Sequence, residues 1–235
     1  SARIARPVAL DGRDVEGVAR FDRESGIDLV VVGPEAPLVA GLVDRVGREG
    51  IAVFGPSAAA AEIEGSKAFA KEIMAAAGIP TAEYAAFAEV APAVAWARAR
   101  AGKVVVKADG LAAGKGVVVC GDVGEAEAAL RSMLVDRAHG AAGAKVVVEE
   151  RLEGAEASCI AFSDGERVRM LAAAQDHKRI FDGDRGPNTG GMGAFSPTPN
   201  VGPELLADVE RAVLVPAVRE LARRGRPFRG ALYAG

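Results

Sequence analysis

Apolar and polar positions along the chain follow two periods. Short β-branched or apolar runs, Leu29–Val32, Ile51–Phe54, Val104–Val106, Val117–Val119, Val146–Val148 and Cys159–Phe162, predict strands. Other stretches repeat apolar residues every three or four positions and predict helices over about Leu38–Glu49, Ala58–Ala77 and Pro203–Arg224. In the second, Phe69, Ala70, Ile73, Met74 and Ala77 share a face, and Gly78 with Pro80 ends the helix. In the third, Leu206, Val209, Val213, Ala217 and Leu221 share a face, and Pro216 predicts a kink. Asp122 followed by Glu125 has capping-box spacing for a helix reaching about Arg137, with Leu130 and Leu134 on one face.

The order of these elements gives the fold class, α/β shading into α+β. Leu29–Val32 runs into Gly33-Pro34-Glu35-Ala36-Pro37-Leu38, then a helix, then Ile51–Phe54 and Gly55-Pro56-Ser57. A buried strand, a Gly/Pro turn and a helix make the βα unit of a parallel sheet, with its loops at the carboxyl ends of strands where such sheets bind ligands. From Thr81 to Glu149 the pattern is strand, helix, strand, loop, strand, helix, strand, a small block of the size of a lid. Cys159–Phe162 and Val168–Ala174 are joined through Ser163-Asp164-Gly165-Glu166, a hairpin signal, and Gly230–Ala234 begins a core strand.

Composition narrows the function classes. The 235 residues allow one large or two small domains with a sizeable core. Net charge is −3 with both signs interspersed, which argues against a nucleic-acid surface. No apolar run is long enough to span a bilayer and no secretory signal opens the chain, so a cytoplasmic protein is expected. Cys120 and Cys159 lie in apolar runs and read as buried thiols, and two cysteines with two histidines lack the spacing of a zinc site. Ser1 leads directly into mid-domain sequence and Gly235 stops a strand, so a chain truncated at both ends is expected.

Four stretches carry candidate chemistry. Lys103–Cys120 sets Gly110, Gly114, Gly116, Lys107 and Lys115 in and around a loop between two strands. Glycine lets backbone N–H groups approach phosphate oxygens, and lysine supplies charge. The plain alternative is a glycine-rich hairpin with solvated lysines; the Walker A spelling is absent. Gly65-Ser66-Lys67 offers a further lysine, equally readable as a surface residue. Glu149-Glu150-Arg151-Leu152, with Glu156 beyond Gly154, follows a buried strand as a charged loop, or as a carboxylate set able to accept ribose hydroxyls. Finally, His177-Lys178-Arg179 precedes Asp184-Arg185-Gly186-Pro187-Asn188-Thr189-Gly190-Gly191-Met192-Gly193, where a cationic run meets a glycine-rich loop costly to order unless it is used.

Taken together, Lys107–Gly116, Gly65-Ser66-Lys67, Glu149–Glu156, Gly33–Leu38 and Asn188–Gly193 resemble the phosphoribosylamine–glycine ligase family of the ATP-grasp superfamily, from about Val31 to the last residue. The resemblance implies an ATP-grasp fold over residues 61–235, with a lid subdomain at about 81–149, behind a partial Rossmann-like domain over residues 1–60. It implies ATP-dependent ligation of glycine to 5-phosphoribosylamine, in purine biosynthesis, by a monomer that needs neither nucleic acid nor membrane. ATP would be held by Lys67, Lys107, Gly110, Ala113, Gly114, Lys115, Gly116, Glu149, Glu150, Leu152 and Glu156. The amine and carboxylate substrates would meet Gly33, Pro34, Glu35, His177, Lys178, Arg179, Asp184, Asn188, Thr189, Gly190, Gly191 and Met192. Lys67, Lys107, Arg185 and Asn188 would serve catalysis, and magnesium or manganese would take ligands beyond residue 235, with none in this chain. Two rivals stand beside this reading: an ATP-grasp ligase for other substrates, and a nucleotide-binding fragment without activity.

Overall fold

The computed structural model describes residues 5–112, 116–183 and 185–235. Helix α1 (Val15–Glu24) opens on Asp14, whose carboxylate accepts from the Gly17 amide at 3.0 Å, and packs Ala19 into the first core. Strands β1 (Leu29–Val31) and β2 (Ala52–Phe54) pair in parallel, with α2 (Glu35–Val39) and α3 (Leu42–Gly47) between them. The single helix expected here is two, because Gly41 takes φ +87° and turns the chain. The expected burial of Leu29–Val32 holds on one face only. Val30 and Val53 turn to α3 and its neighbours, whereas Leu29 and Val31 are 57% and 64% exposed.

The long helix expected over Ala58–Ala77 is also broken, into α4 (Ala58–Gly65) and α5 (Lys67–Ala77). Ser66 sits between them in extended backbone (φ −137°, ψ 117°), and its hydroxyl caps α5 by accepting from Phe69 N at 3.1 Å. Gly78, at φ +65°, ends α5 as expected.

Next come β3 (Tyr84–Phe87), α6 (Val90–Arg98), β4 (Val104–Ala108), β5 (Val117–Val119), α7 (Val123–Leu134), a 3-10 turn (Gly140–Ala144) and β6 (Val146–Glu150). They form an antiparallel sheet in the order β3-β6-β4-β5. Val104, Val106, Val146 and Val148 are fully buried beneath Ala93, Ala97, Leu130 and Met133 of the two helices. Each large apolar side chain buried in this way stabilises by about 1.5–3 kcal/mol. The pleat therefore sends the odd-numbered residues of β4, Lys107 among them, to the opposite face.

The remaining chain forms β7 (Cys159–Asp164), β8 (Val168–Met170), β9 (Gln175–Phe181), β10 (Arg185–Phe195), α8 (Pro203–Val209), α9 (Val215–Arg223) and β11 (Arg229–Ala234). Strands β11, β7 and β8 make an antiparallel sheet that packs Ala161, Val168 and Leu232 against Phe69, Ile73, Val218 and Leu221 of α5 and α9. The run expected as a strand to Ala174 pairs only to Met170, and Ala174 returns as an isolated bridge to Ser158. Between α8 and α9 the helix widens into a π turn, Glu210–Leu214, immediately before Pro216, where a ring without an N–H cannot continue the regular ladder. Residues 184–193, expected as a loop, largely fall in β10, which pairs with β9 through a bulged, irregular register. Cys120 and Cys159 are buried free thiols, and burial raises the Cys120 pKa to about 11.

Candidate nucleotide site

The site begins where β4 ends. In the ladder Lys107 faces Val147 of β6, so Glu149, two residues along, is its diagonal neighbour on the same face. Their side chains span that diagonal, with Lys107 Nζ 2.9 Å from Glu149 Oε2. Glu149 is buried, and Tyr84 lies directly across from it on β3. Helix α5 crosses this face and contributes Lys67 and Lys71, four residues apart and hence on one side of the helix. Lys71 Nζ reaches the same Glu149 oxygen at 3.4 Å and donates to Thr81 Oγ1 at 2.6 Å.

Asp109 fixes the distance between strand and helix. Its carboxylate accepts from Ser66 Oγ at 3.0 Å and from Ala68 N at 2.7 Å, while its carbonyl accepts from Lys67 N at 3.1 Å. A carboxylate thereby completes the positive end of α5 from within the protein. Lys67 Nζ donates to the Gly110 carbonyl at 3.2 Å, so the lysine of the Gly-Ser-Lys turn touches the glycine loop itself. Burial lowers the Lys67 pKa. Asp109 and Glu149 oppose that shift and Lys107 adds to it. An anion placed here would relieve the repulsion between Lys67 and Lys107.

The glycines of the loop answer to close packing. A Cβ on Gly110 would come within 2.9 Å of the Ala142 side chain, and one on Gly116 within 2.6 Å of Ala112. Ala113, Gly114 and Lys115 lie outside the described residues. A cleft of about 420 Å³ runs beside the loop, lined by Val39, Gly65, Asp109, Gly110, Leu111 and Lys145 among others.

Past β6 the site opens. Glu150 turns back to accept from Glu83 N at 3.0 Å, which closes the end of the β3–β6 pair. Leu152 is exposed, and Glu156, with a side chain 78% exposed, lies 3.5 Å from Lys178 Nζ. Lys178 is also 3.4 Å from Asp176. On the β9–β10 ribbon the His177 ring stacks on Phe195 with centroids 5.7 Å apart. Arg179 Nη1 donates to the Gly186 carbonyl at 2.9 Å and Arg185 Nε to that of Asp182 at 3.2 Å. Thr189 Oγ1 donates to the Lys178 carbonyl and accepts from Gly191 N, at 2.9 and 3.0 Å. Met192 is exposed, and Gly191, at φ +124°, holds a backbone that favours glycine. Asn188 and Gly190 belong to β10, and Asp184 lies outside the described residues.

The structure thus joins Lys67, Lys107, Gly110 and Glu149 in one cluster, and ties Glu156 to Lys178 at a second. Gly33 and Pro34 lead into Glu35 at the start of α2, all three exposed. Burial, and then the charge of Glu35, raises the pKa of Glu64. Two polar residues of the cluster, Lys71 and Asp109, carry no functional signal of their own in the sequence, whereas Ser66 belongs to the Gly-Ser-Lys turn and also reads as a helix cap before an apolar periodic run.

The chain matches two family models: the phosphoribosylglycinamide synthetase N domain over residues 1–64, and the ATP-grasp (A) domain of the same family over residues 65–235. It is 52% identical over 228 residues to the phosphoribosylamine–glycine ligase of Vibrio parahaemolyticus, covering 97% of this chain and 53% of that protein. It is 54% identical to the corresponding ligase of Xanthomonas campestris, covering 98% of this chain and 53% of that one. The chain spans about half the length of the curated relatives it matches. Among solved structures, the phosphoribosylamine–glycine ligase of Thermotoga maritima superposes with a TM-score of 0.84 at 28% identity, over 100% of this chain and 56% of that one. The biotin carboxylase domain of Hydrogenobacter thermophilus 2-oxoglutarate carboxylase, solved with MgADP, shares the fold at a TM-score of 0.73 and 19% identity, over 97% of this chain and 49% of that one. No described helix is long and apolar enough to cross a membrane. The fold is that of the ATP-grasp enzymes, and the chain belongs to the phosphoribosylglycinamide synthetase family.

Proposed function

We propose that this chain carries the ATP site of a ligase that joins glycine to 5-phosphoribosylamine, giving glycinamide ribonucleotide, ADP and phosphate. The observation that carries the reading is the meeting of Lys67 and Lys107 at the mouth of the glycine loop, both within the influence of buried Glu149. One ammonium group on the glycine loop and another on the strand that leads into it are suited to a polyphosphate.

The chemistry requires no side-chain nucleophile. An oxygen of the glycine carboxylate attacks the γ-phosphorus, ADP leaves, and glycyl phosphate forms. The amine of phosphoribosylamine then attacks the carbonyl carbon, and inorganic phosphate leaves as the C–N bond forms. Lys67, Lys107 and Lys115 neutralise the phosphates, and the glycine loop through Gly110, Ala113, Gly114 and Gly116 covers them and excludes water. Backbone groups from Glu149 and Glu150 to Leu152 hold adenine, and Glu156 accepts the ribose hydroxyls, released from Lys178 when nucleotide arrives. Gly33, Pro34 and Glu35 serve the phosphoribosylamine. His177, Lys178, Arg179, Asp184, Arg185, Asn188, Thr189, Gly190, Gly191 and Met192 serve the reacting carboxylate and amine.

Magnesium or manganese is the expected companion of the nucleotide, yet among the described residues no group of three or more His, Cys, Asp or Glu side chains is arranged to hold a metal ion. No step is therefore assigned to an ion on this chain's residues. The domain reading divides residues 1–60 from 61–235, with a lid over 81–149. Three hydrophobic clusters support it, with α4 bridging two of them: Ala61 packs with the first part and Ala60 with the second. We assign a cytoplasmic monomer acting on small molecules.

The test is phosphate release by a chain as long as the relatives, supplied with ATP, glycine and freshly generated phosphoribosylamine. The reading expects release that requires both glycine and the amine. Release that persists without glycine, or that prefers another amino acid, would overturn it.

A further inference from the structure

Lys71 belongs to no motif of the chain, yet it lies inside the site. Its side chain is 8% exposed, as is that of Glu149, whereas that of Lys107 is 28% exposed. The Lys71 ammonium is tied to Thr81 Oγ1 at 2.6 Å, stands 5.2 Å from the centre of the Tyr84 ring, and approaches Glu149 Oε2 at 3.4 Å. That oxygen is the one Lys107 occupies at 2.9 Å. Burial disfavours the Lys71 charge, Glu149 supports it and Lys107 opposes it.

Two cations on one buried carboxylate are more than an ion pair requires. If Lys107 turns to a phosphate, it must leave Glu149. A buried carboxylate stripped of its only partner is strongly unfavourable, so Lys107 would be held in place. With Lys71 present, Glu149 keeps a counter-ion when Lys107 departs. We propose that Lys71 is the resident counter-ion of Glu149, a positioning residue that frees Lys107 for the nucleotide phosphates. The inference rests on the reading that Lys107 binds those phosphates.

The experiment titrates a non-hydrolysable ATP analogue, and separately adenosine, into the chain by calorimetry, with unfolding midpoints recorded for each variant. Lys71→Met is expected to weaken binding of the analogue about tenfold, the size of one charged hydrogen bond, and to leave adenosine unchanged. Adding Glu149→Gln to Lys71→Met is expected to restore most of that loss, because the carboxylate that captures Lys107 is gone. A merely structural lysine would weaken analogue and adenosine alike, in step with the unfolding midpoint, whereas the proposed role weakens only the ligand that carries phosphates. Lys71→Gln, which keeps a donor for Thr81 without the charge, carries the same test if Lys71→Met does not fold. Wild-type analogue affinity in both Lys71 variants, or no recovery in the double variant, would overturn the proposal. Lys107→Met distinguishes the two levels: if it binds the analogue as wild type does, the phosphate reading itself fails, and if it alone is weakened, only the role of Lys71 fails.

Discussion

The β3-β6-β4 platform and the β9–β10 ribbon hold the two halves of the candidate site by different means. On the platform the central charges are paired within the protein: buried Glu149 holds Lys107 and Lys71, and Asp109 caps α5. The opposite face of that sheet is a closed apolar core under α6 and α7. The ribbon is two strands with bulges, its ion pair Glu156–Lys178 is exposed, and it is shaped by backbone bonds from Thr189 and Arg179. Isolated two-stranded ribbons are marginal in water, whereas a sheet buried on one face with its charges paired on the other is stiff. The contrast suits a nucleotide held in a fixed position and a second substrate admitted from solvent.

The most damaging way to break the comparison is Glu149→Ala, which leaves Lys71 buried without its carboxylate. It should lower stability by about 3–5 kcal/mol in urea unfolding, whereas Glu156→Ala should change it by less than about 1 kcal/mol. Similar losses from both would erase the distinction between the two regions. Asp109→Ala should cost about 2 kcal/mol, since it removes the partner of Ser66 and of the first amides of α5. Amide exchange should then rise at Ala68 and Phe69 while the ribbon stays as it was. Glu156→Gln removes the charge that favours ribose hydroxyls without changing shape. Calorimetry should show ATP binding weaker by about 1–2 kcal/mol at nearly constant stability.

The smallest effect concerns neither region and serves as a control. Hydrogen bonds from Arg223, then Arg224, hold the Glu220 carboxyl at about 2, below its ordinary 4.5. A carboxyl whose pKa is lower folded than unfolded stabilises above the unfolded value, and that contribution is lost as pH falls from about 4.5 through about 2. Urea midpoints at about pH 5.5 and about pH 3 should therefore separate more in wild type than in Glu220→Gln. Equal separation in the two proteins would show that the Arg223–Glu220–Arg224 cluster has no part in acid sensitivity.

Much of this was legible in the sequence, and the failures share one cause. The strands, the βαβ order and the lid pattern follow from runs of apolar residues, whereas the face that Lys107 takes appears only in the alternating burial of β4. What local pattern could not show was partnership across the chain. Lys71 reads as a solvated helical lysine until Glu149 and Thr81 are placed beside it. The break at Ser66 depends on Asp109, contributed from the end of β4, and the break at Gly41 on a turn in which Asp44 accepts from Ala58 N at 2.7 Å. Residues 185–195 hold four glycines and a proline, with only Thr189 and Phe195 as branched or aromatic side chains, and their extended form comes from pairing with β9. Leu29 and Val31 read as buried because an apolar run does not say whether one face or two will be covered.

The most direct test of the account is a crystal structure of this chain with a non-hydrolysable ATP analogue and magnesium. The account predicts phosphate oxygens within hydrogen-bond distance of Lys67 Nζ and Lys107 Nζ, adenine against the backbone of Glu149 to Leu152, and Lys71 still on Glu149. Phosphates bound elsewhere, with Lys107 unmoved from Glu149, would contradict it.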